Sequence, residues 1–335
     1  MSARCCAAAM MVGAARNSGV PPSLTRADSP QAHRLRTRGM LEHLLTEQPN
    51  PASEGIDALP VEEVLKVINA EDHKVPGAVE AEIPNIARAV EVIAAAIRSG
   101  GRLFYIGAGT SGRLAALDAA ECPPTFNVPD DLVQAVIAGG PDALARAVEA
   151  SEDDAAAGWR DLEERGFTAR DVLMGISASG RTPYVLGAVA AARQLGAVTV
   201  GLSCNPDSEL ARVVDIAITP VTGPEIIAGS TRLKAGTAAK LVLNMISTAV
   251  MIRLGHVYGN LMVNVQPKNQ KLRDRARRII QRATGVGAEE AARLLDAAGG
   301  DTKVAIVMAR LGLSREEAAG RLAAAEGRLS EALRG

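Results

Sequence analysis

The sequence predicts an α/β fold: a doubly wound, parallel, five-stranded sheet with flanking helices, followed by a small C-terminal domain of three helices. Three observations predict it. Five short apolar runs, at 103–106, 132–138, 172–177, 198–203 and 216–219, alternate with helix-like segments, the order of a sheet covered on both faces. Those runs are apolar almost throughout instead of alternating, as strands buried on both sides are. Two of them end in glycine- and hydroxyl-rich loops that open a helix-like run, and such sheets bind ligands at the carboxyl ends of their strands.

Composition agrees with a large buried core and excludes some functions. Apolar residues make up 47% of the 335 residues, but aromatics only 2%, so the core is built from Ala, Val, Leu and Ile. So few aromatics offer no stacking platform for single strands, and a formal net charge of -1 lacks the basic footprint of a nucleic-acid binder. Cys5, Cys6, Cys122 and Cys204 have neither disulfide-framework nor zinc spacing, which points to a reducing cytoplasm. His33, His43, His73 and His256 share no ligand-like spacing. No stretch reads as a membrane span of about 18 apolar residues. Residues 1–39, with a short apolar run after Arg4 and then a polar, proline-bearing segment, read as a disordered extension; residues 40–280 read as the α/β domain and 285–335 as the helical one.

Taken in order, 44–60 is loop-like with three prolines, and 61–72 and 78–100 have helical apolar spacing. Between the strand runs, helices are expected near 111–121, 142–165, 183–195 and 207–213, with a long one near 232–254. Pro123 and Pro124 are expected to stop the first of these. After 285, glycines divide the chain into three short helices.

The loop Gly107-Ala108-Gly109-Thr110-Ser111-Gly112 spells the dinucleotide fingerprint G-x-G-x-x-G. That reading needs a carboxylate about 20 residues on, at the end of the second strand. Ala138-Gly139-Gly140 stands there instead, so a nicotinamide dinucleotide is not the expected ligand. A second loop, Ser177-Ala178-Ser179-Gly180-Arg181-Thr182-Pro183, repeats the Ser-Gly-Arg of 111–113. Helix N-termini present amides and a positive dipole end to anions, and hydroxyls add donors. Two such loops on one sheet suggest a phosphate cradle, although Ser and Thr would serve equally as ordinary helix caps. With no metal-ligand cluster, no Gly-x-Ser-x-Gly and no lysine P-loop, any acid–base chemistry falls to carboxylates. Glu121, held ahead of two prolines, is the first candidate. Glu149 and Glu152, with Asp153 and Asp154, read from pattern alone as a solvated acidic face.

These stretches together resemble the N-acetylmuramic acid 6-phosphate etherases, which carry a sugar-isomerase (SIS) domain. The resemblance runs from about residue 44 to the C-terminus and rests on "LTEQPNPAS", "IGAGTSGRLAALDAAECPPTF", "SASGRTPYV", "GSTRLKAGTAAKLVLNMISTAVMIRLGHVYGNLMV" and "VQPKNQKL". Ala120 stands where Ser is common in that family, and Asn264 where Asp is. The resemblance implies a SIS-type sheet and cleavage of the lactyl ether of N-acetylmuramic acid 6-phosphate to N-acetylglucosamine 6-phosphate and D-lactate. It implies neither metal nor organic cofactor, and a homodimer. It places a proton-donating glutamate at Glu121 and a second catalytic glutamate at Glu152. Phosphosugar binding falls on Thr110, Ser111, Gly112, Ser177, Ser179, Gly180 and Thr182, with Lys234 able to reach a substrate anion. A phosphosugar-sensing regulatory protein and an aldose–ketose isomerase share the architecture, so fold alone does not choose among them.

Overall fold

The computed structural model describes residues 43–334 apart from 147, 266 and 268; the expected extension at 1–39 lies outside the described residues. Five strands, β1 (Leu103–Gly107), β2 (Val133–Ile137), β3 (Val172–Ile176), β4 (Val198–Leu202) and β5 (Ile216–Ile218), form one parallel sheet in the order β2-β1-β3-β4-β5. Leu103 pairs with Val133 on one side and Val172 on the other, so β1 and β3 are central and every residue of each is buried. The chain runs outward from β1 to β2, then returns to β3 and proceeds the other way. That reversal is a topological switch point, and it sets the loops leaving β1 and β3 side by side.

Alternation along β1 divides the core in two. Leu103 and Tyr105 face a layer made by α2 (Lys74–Glu80), α3 (Ile83–Arg98), α4 (Gly109–Phe126) and α8 (Lys234–Arg253). Phe104 and Ile106 face α5 (Ala155–Glu164), α6 (Pro183–Leu195) and α7 (Glu209–Val213). There Phe104 meets Phe167 edge-on with ring centroids 5.2 Å apart. α1 (Val61–Asp72) precedes these layers.

Several expected boundaries shift for local reasons. The 78–100 run is two helices, because Pro84 sits in the first turn of α3 and cannot continue a helix from upstream. α4 passes through Pro123 and Pro124 and ends at Phe126, where Asn127, in left-handed geometry, donates its N–H to the Pro123 carbonyl. Proline's φ suits a helix and the penalty is a lost amide, which α4 bears because it ends within a turn. The expected helix over 142–165 breaks into 3-10 turns at Pro141–Leu144 and Glu149–Glu152 before α5. Asp154 is the reason: its carboxylate accepts from the amides of Ala156 and Ala157, capping α5 there. α8 is long and apolar enough to cross a membrane by length and composition, contrary to expectation, but more than half of its apolar window is buried. Packing on α2, α3 and α4 accounts for its apolarity.

Beyond α8, α9 (Gln270–Thr284), α10 (Ala288–Ala297), α11 (Thr302–Leu311), α12 (Arg315–Ala324) and α13 (Leu329–Ala332) share a separate apolar cluster that starts at Val263. α9, capped by Asn269, is not anticipated from the sequence. The three expected tail helices are four, because Gly327, in left-handed geometry, ends one helix before α13 begins.

Candidate functional site

The site is built at the carboxyl ends of β1 and β3. Gly112 lets α4 descend onto the sheet: a Cβ there would lie 2.5 Å from Ile137 Cγ1 and 2.8 Å from the Gly107 carbonyl oxygen. This seats Thr110 and Ser111 at the mouth of a cavity. The N-cap of α4 is Ala108, which supplies no side-chain cap, and the N-cap of α6 is Thr182, whose side chain makes no cap bond either. The hydroxyls in these loops are therefore not spent as helix caps.

The loop after β3 is braced internally. The hydroxyls of Ser177 and Thr182 are 2.9 Å apart, and the Ser177 oxygen accepts the Gly180 N–H at 3.0 Å. Gly180 has φ 68°, and a Cβ there would come within 2.3 Å of Ser208 Cβ, so the turn requires glycine. Asn205 donates to the Ala178 carbonyl at 3.0 Å, fixing the loop's outer side.

A cavity of about 350 Å³ lies between these loops. Of the expected site residues, Thr110, Ser111, Glu152, Ser177, Ser179 and Thr182 line it. Glu152 arrives from the 3-10 turn and not from a solvated helix face; its Oε1 would be 3.2 Å from a Cβ on Gly109. Gly112 and Gly180 shape the wall without lining it. Glu47, Arg113 and Thr231 also line the cavity and were not anticipated there. Arg113 belongs to the repeated Ser-Gly-Arg triplet, which is the signal that could have found it. A larger cavity, about 630 Å³, lies beside Asn264, Arg273 and Asp301 and is lined by neither βα loop.

Two expected residues stand elsewhere. Lys234 neither reaches the cavity nor the surface: its side chain is 1% exposed and its ammonium donates to Glu71 Oε2 at 2.7 Å. Asn50 donates to the same oxygen at 3.0 Å, and Lys74 pairs with the other. Burial pushes the Glu71 carboxyl up, but these three donors outweigh it and hold it at about 2. The backbone amides of Lys234 and Ala235 each donate to the buried carboxylate of Glu225 at 2.9 Å, so α8 begins on an acidic cap beneath the cavity wall.

Glu121 is exposed and lies outside the cavity. Ten residues of helix separate it from Ser111, roughly 15 Å along the axis. The inward face of α4 is fixed by Asp118, whose carboxylate accepts from Tyr105 Oη and from Ser247 Oγ, both at 3.0 Å. Burial raises the Asp118 carboxyl despite those two bonds. Glu121, three residues beyond Asp118, is exposed and shares a stripe of α4 with half-exposed Leu117 one turn before it. Among the described residues, no three His, Cys, Asp or Glu side chains gather where a metal ion could sit.

Comparison with known proteins adds the family. Residues 85–193 match the glucokinase regulatory protein N-terminal SIS domain. Among solved structures, a phosphoheptose isomerase from Francisella tularensis aligns at 19% identity and TM-score 0.46, over 57% of this chain and 98% of that one, too distant to inform the site. N-acetylmuramic acid 6-phosphate etherases are far nearer. That of Rhizobium rhizogenes is 54% identical over 293 residues, 88% of this chain and 95% of its own. That of Serratia proteamaculans is 54% identical over 290 residues, 87% and 98%. That of Caldanaerobacter subterraneus is 52% identical over 294 residues, 88% and 96%. Likeness at this level across nearly the whole of each relative is decisive: the chain belongs to the N-acetylmuramic acid 6-phosphate etherase family.

Proposed function

We propose that the cavity between the β1 and β3 loops is where this chain cleaves the D-lactyl ether of N-acetylmuramic acid 6-phosphate. The chain is a carbon–oxygen lyase of cell-wall sugar recycling, as its family is, and the assignment of steps to residues is the proposal. The 6-phosphate sits against the N-termini of α4 and α6 and the hydroxyls of Ser111, Ser177, Ser179 and Thr182. In the open-chain aldehyde the carbon 2 proton is acidified by the neighbouring carbonyl. Glu152 removes it, the bond from carbon 3 to the lactyl oxygen breaks, and a proton from Glu121 makes D-lactate. Water then adds at carbon 3 and the proton returns to carbon 2, giving N-acetylglucosamine 6-phosphate.

The observation that carries this reading is that neither helix N-terminus is capped by a side chain while six hydroxyl-bearing residues and Glu152 line one cavity. Glu121 completes the site from a second copy across a two-fold axis. Its exposed position beside Leu117 supports that arrangement, since a general acid at neutral pH benefits from cover that a partner surface would give. The chain then divides into a catalytic domain and a helical domain. The separate apolar cluster of the tail supports the division but begins at Val263, so it draws α9 and the residues before it, most of them within the expected 40–280, into the helical domain. The free, buried thiols of Cys122 and Cys204 are consistent with a cytoplasmic enzyme.

D-lactate release from N-acetylmuramic acid 6-phosphate tests the reading, with Glu121→Ala and Glu152→Ala each expected to abolish it. Mixing the two inactive variants under conditions of subunit exchange should restore about a quarter of wild-type activity, because half of the dimers are mixed and each holds one intact site. No restoration would place Glu121 and Glu152 in the same subunit's site. Tight phosphosugar binding without lactate release by the wild type would favour a regulatory role like that of the matched SIS domain's namesake.

A further inference from the structure

We propose that Glu47 is a specificity-determining residue of the cavity, accepting a hydrogen bond from a neutral donor on the ring end of the sugar and repelling purely anionic ligands. The inference rests on the phosphosugar reading above and adds a residue to which no role has been given.

The geometry holds this carboxylate in place from two sides. Glu47 ends the 3-10 turn Leu45–Glu47. Asn205 ties that turn to the phosphate loop: its Oδ1 accepts the Leu45 N–H at 2.9 Å, while its amide group donates to the Ala178 carbonyl at 3.0 Å and to Thr46 Oγ1 at 3.3 Å. On the other side the Thr46 carbonyl accepts the Gly229 N–H at 3.0 Å, and Thr46 is fully buried. Gly229 has φ 77°, and a Cβ there would lie 2.9 Å from Glu47 Oε2. The carboxylate therefore rests directly over a glycine that leaves it room. Glu47 and Thr231 line the cavity alongside Ser177 and Ser179. Among the described residues, no donor is paired with the Glu47 carboxylate.

Charge then dictates what Glu47 can meet. A carboxylate only accepts hydrogen bonds, and the substrate brings two anions of its own, the phosphate and the lactyl carboxylate. Glu47 must therefore lie against the neutral donors between them, the ring-end hydroxyls or the acetamido N–H. A 350 Å³ cavity is roughly 9 Å across if taken as a sphere, inside the Debye length of about 10 Å at 0.1 M salt. The same carboxylate thus opposes a bare phosphate, which brings negative charge without the neutral donors of the sugar.

The experiment measures two ligands on wild type, Glu47→Gln and Glu47→Ala. Kinetics with N-acetylmuramic acid 6-phosphate should show KM raised about tenfold in the glutamine variant and about tenfold to a hundredfold in the alanine variant, as loss of a hydrogen bond to a charged group gives. Calorimetric titration with inorganic phosphate should show the opposite sign, binding a few-fold tighter in both variants, with the gain disappearing at 1 M salt. A wall that had merely loosened would weaken both ligands, and that result overturns the proposal. So does an unchanged KM, or a wild type that does not bind phosphate. If the wild type binds phosphate but releases no lactate, the etherase assignment of the cavity fails, while the phosphate titration still decides whether Glu47 acts as a charge screen.

Discussion

The loops leaving β1 and β3 carry the same Ser-Gly-Arg triplet and meet at one cavity, yet different forces hold them. The β3 loop is a hydrogen-bonded knot. Ser177 serves both Thr182 and the Gly180 amide, and Asn205 pins Ala178 from outside. Among the described residues, the β1 loop has no such bracing from its own hydroxyls. Its position follows from how closely α4 approaches the sheet at Gly112, and from the Asp118 clamp to Tyr105 and Ser247 further along that helix. The shared triplet marks what faces a ligand; it does not say what keeps the loop there.

The comparison would break if the phosphate were held by a third element. Lys234 is the cation nearest in sequence logic to that role, and Lys234→Met tests it with the largest effect expected. Removing one partner of a buried pair leaves the other charge uncompensated, which costs about 3–5 kcal/mol. The lower end is expected here, because Lys74 and Asn50 still serve Glu71. Urea denaturation should read this loss, while inorganic phosphate affinity of the folded variant stays within about twofold. A large loss of affinity would make Lys234 part of the cradle. The wild-type pair also sets an acid limit. The folded Glu71 carboxyl lies at about 2 against an ordinary 4.5, so its stabilisation is complete above pH 4.5 and is lost as pH falls toward 2. In Lys234→Met that acid-side decline should be smaller.

Next in size are the two glycines. In Gly112→Ala the new methyl meets the Gly107 carbonyl and Ile137; in Gly180→Ala it meets Ser208 on a backbone with positive φ. Overpacking of this kind costs about 1–3 kcal/mol, and Gly180→Ala adds the strain of its conformation. Thermal unfolding should therefore show both variants destabilised, with Gly180→Ala the lower-melting. The reverse order would mean that packing of α4, more than the β3 knot, dominates the stability of the site.

What the sequence shows and hides follows from the range of the interactions. The strands are legible because a strand buried on both faces is a largely apolar run, bounded here by glycine or a hydroxyl; β2, at the sheet edge with half-buried Gln134, shows this least. The two loops are legible because their glycines and hydroxyls are neighbours in the chain. Lys234 is misjudged because its partner Glu71 lies 163 residues away, so nothing local marks it as buried. Glu47 is passed over for a similar reason. Its segment has three prolines and no periodicity, and its place in the cavity depends on Asn205, 160 residues from Leu45. The break before α5 is local, but Asp154 reads as one of four acids within six residues until its capping bonds are seen. α9 is hidden by its many arginines, which leave only Ala276, Ile279, Ile280 and Ala283 as a buried stripe.

The smallest effects separate the two loops most cleanly. Ser177→Ala removes the acceptor of the Gly180 N–H and the partner of the Thr182 hydroxyl. An unsatisfied buried donor costs about 1–3 kcal/mol, so this variant should lose both stability and phosphate affinity. Ser111→Ala should behave differently. The β1 loop is held by packing, so deleting this hydroxyl leaves the melting temperature within about a degree, given that 1 kcal/mol is worth a few degrees in a chain of this size. Phosphate affinity should still fall by about fivefold to tenfold, the worth of one hydrogen bond. Affinity lost without stability at Ser111, and both lost together at Ser177, is the pattern expected if one loop is posed by steric contact and the other by its own hydrogen bonds. If Ser111→Ala also melts early, its hydroxyl braces the β1 loop as Ser177 braces the β3 loop, and the two loops work by the same physics after all.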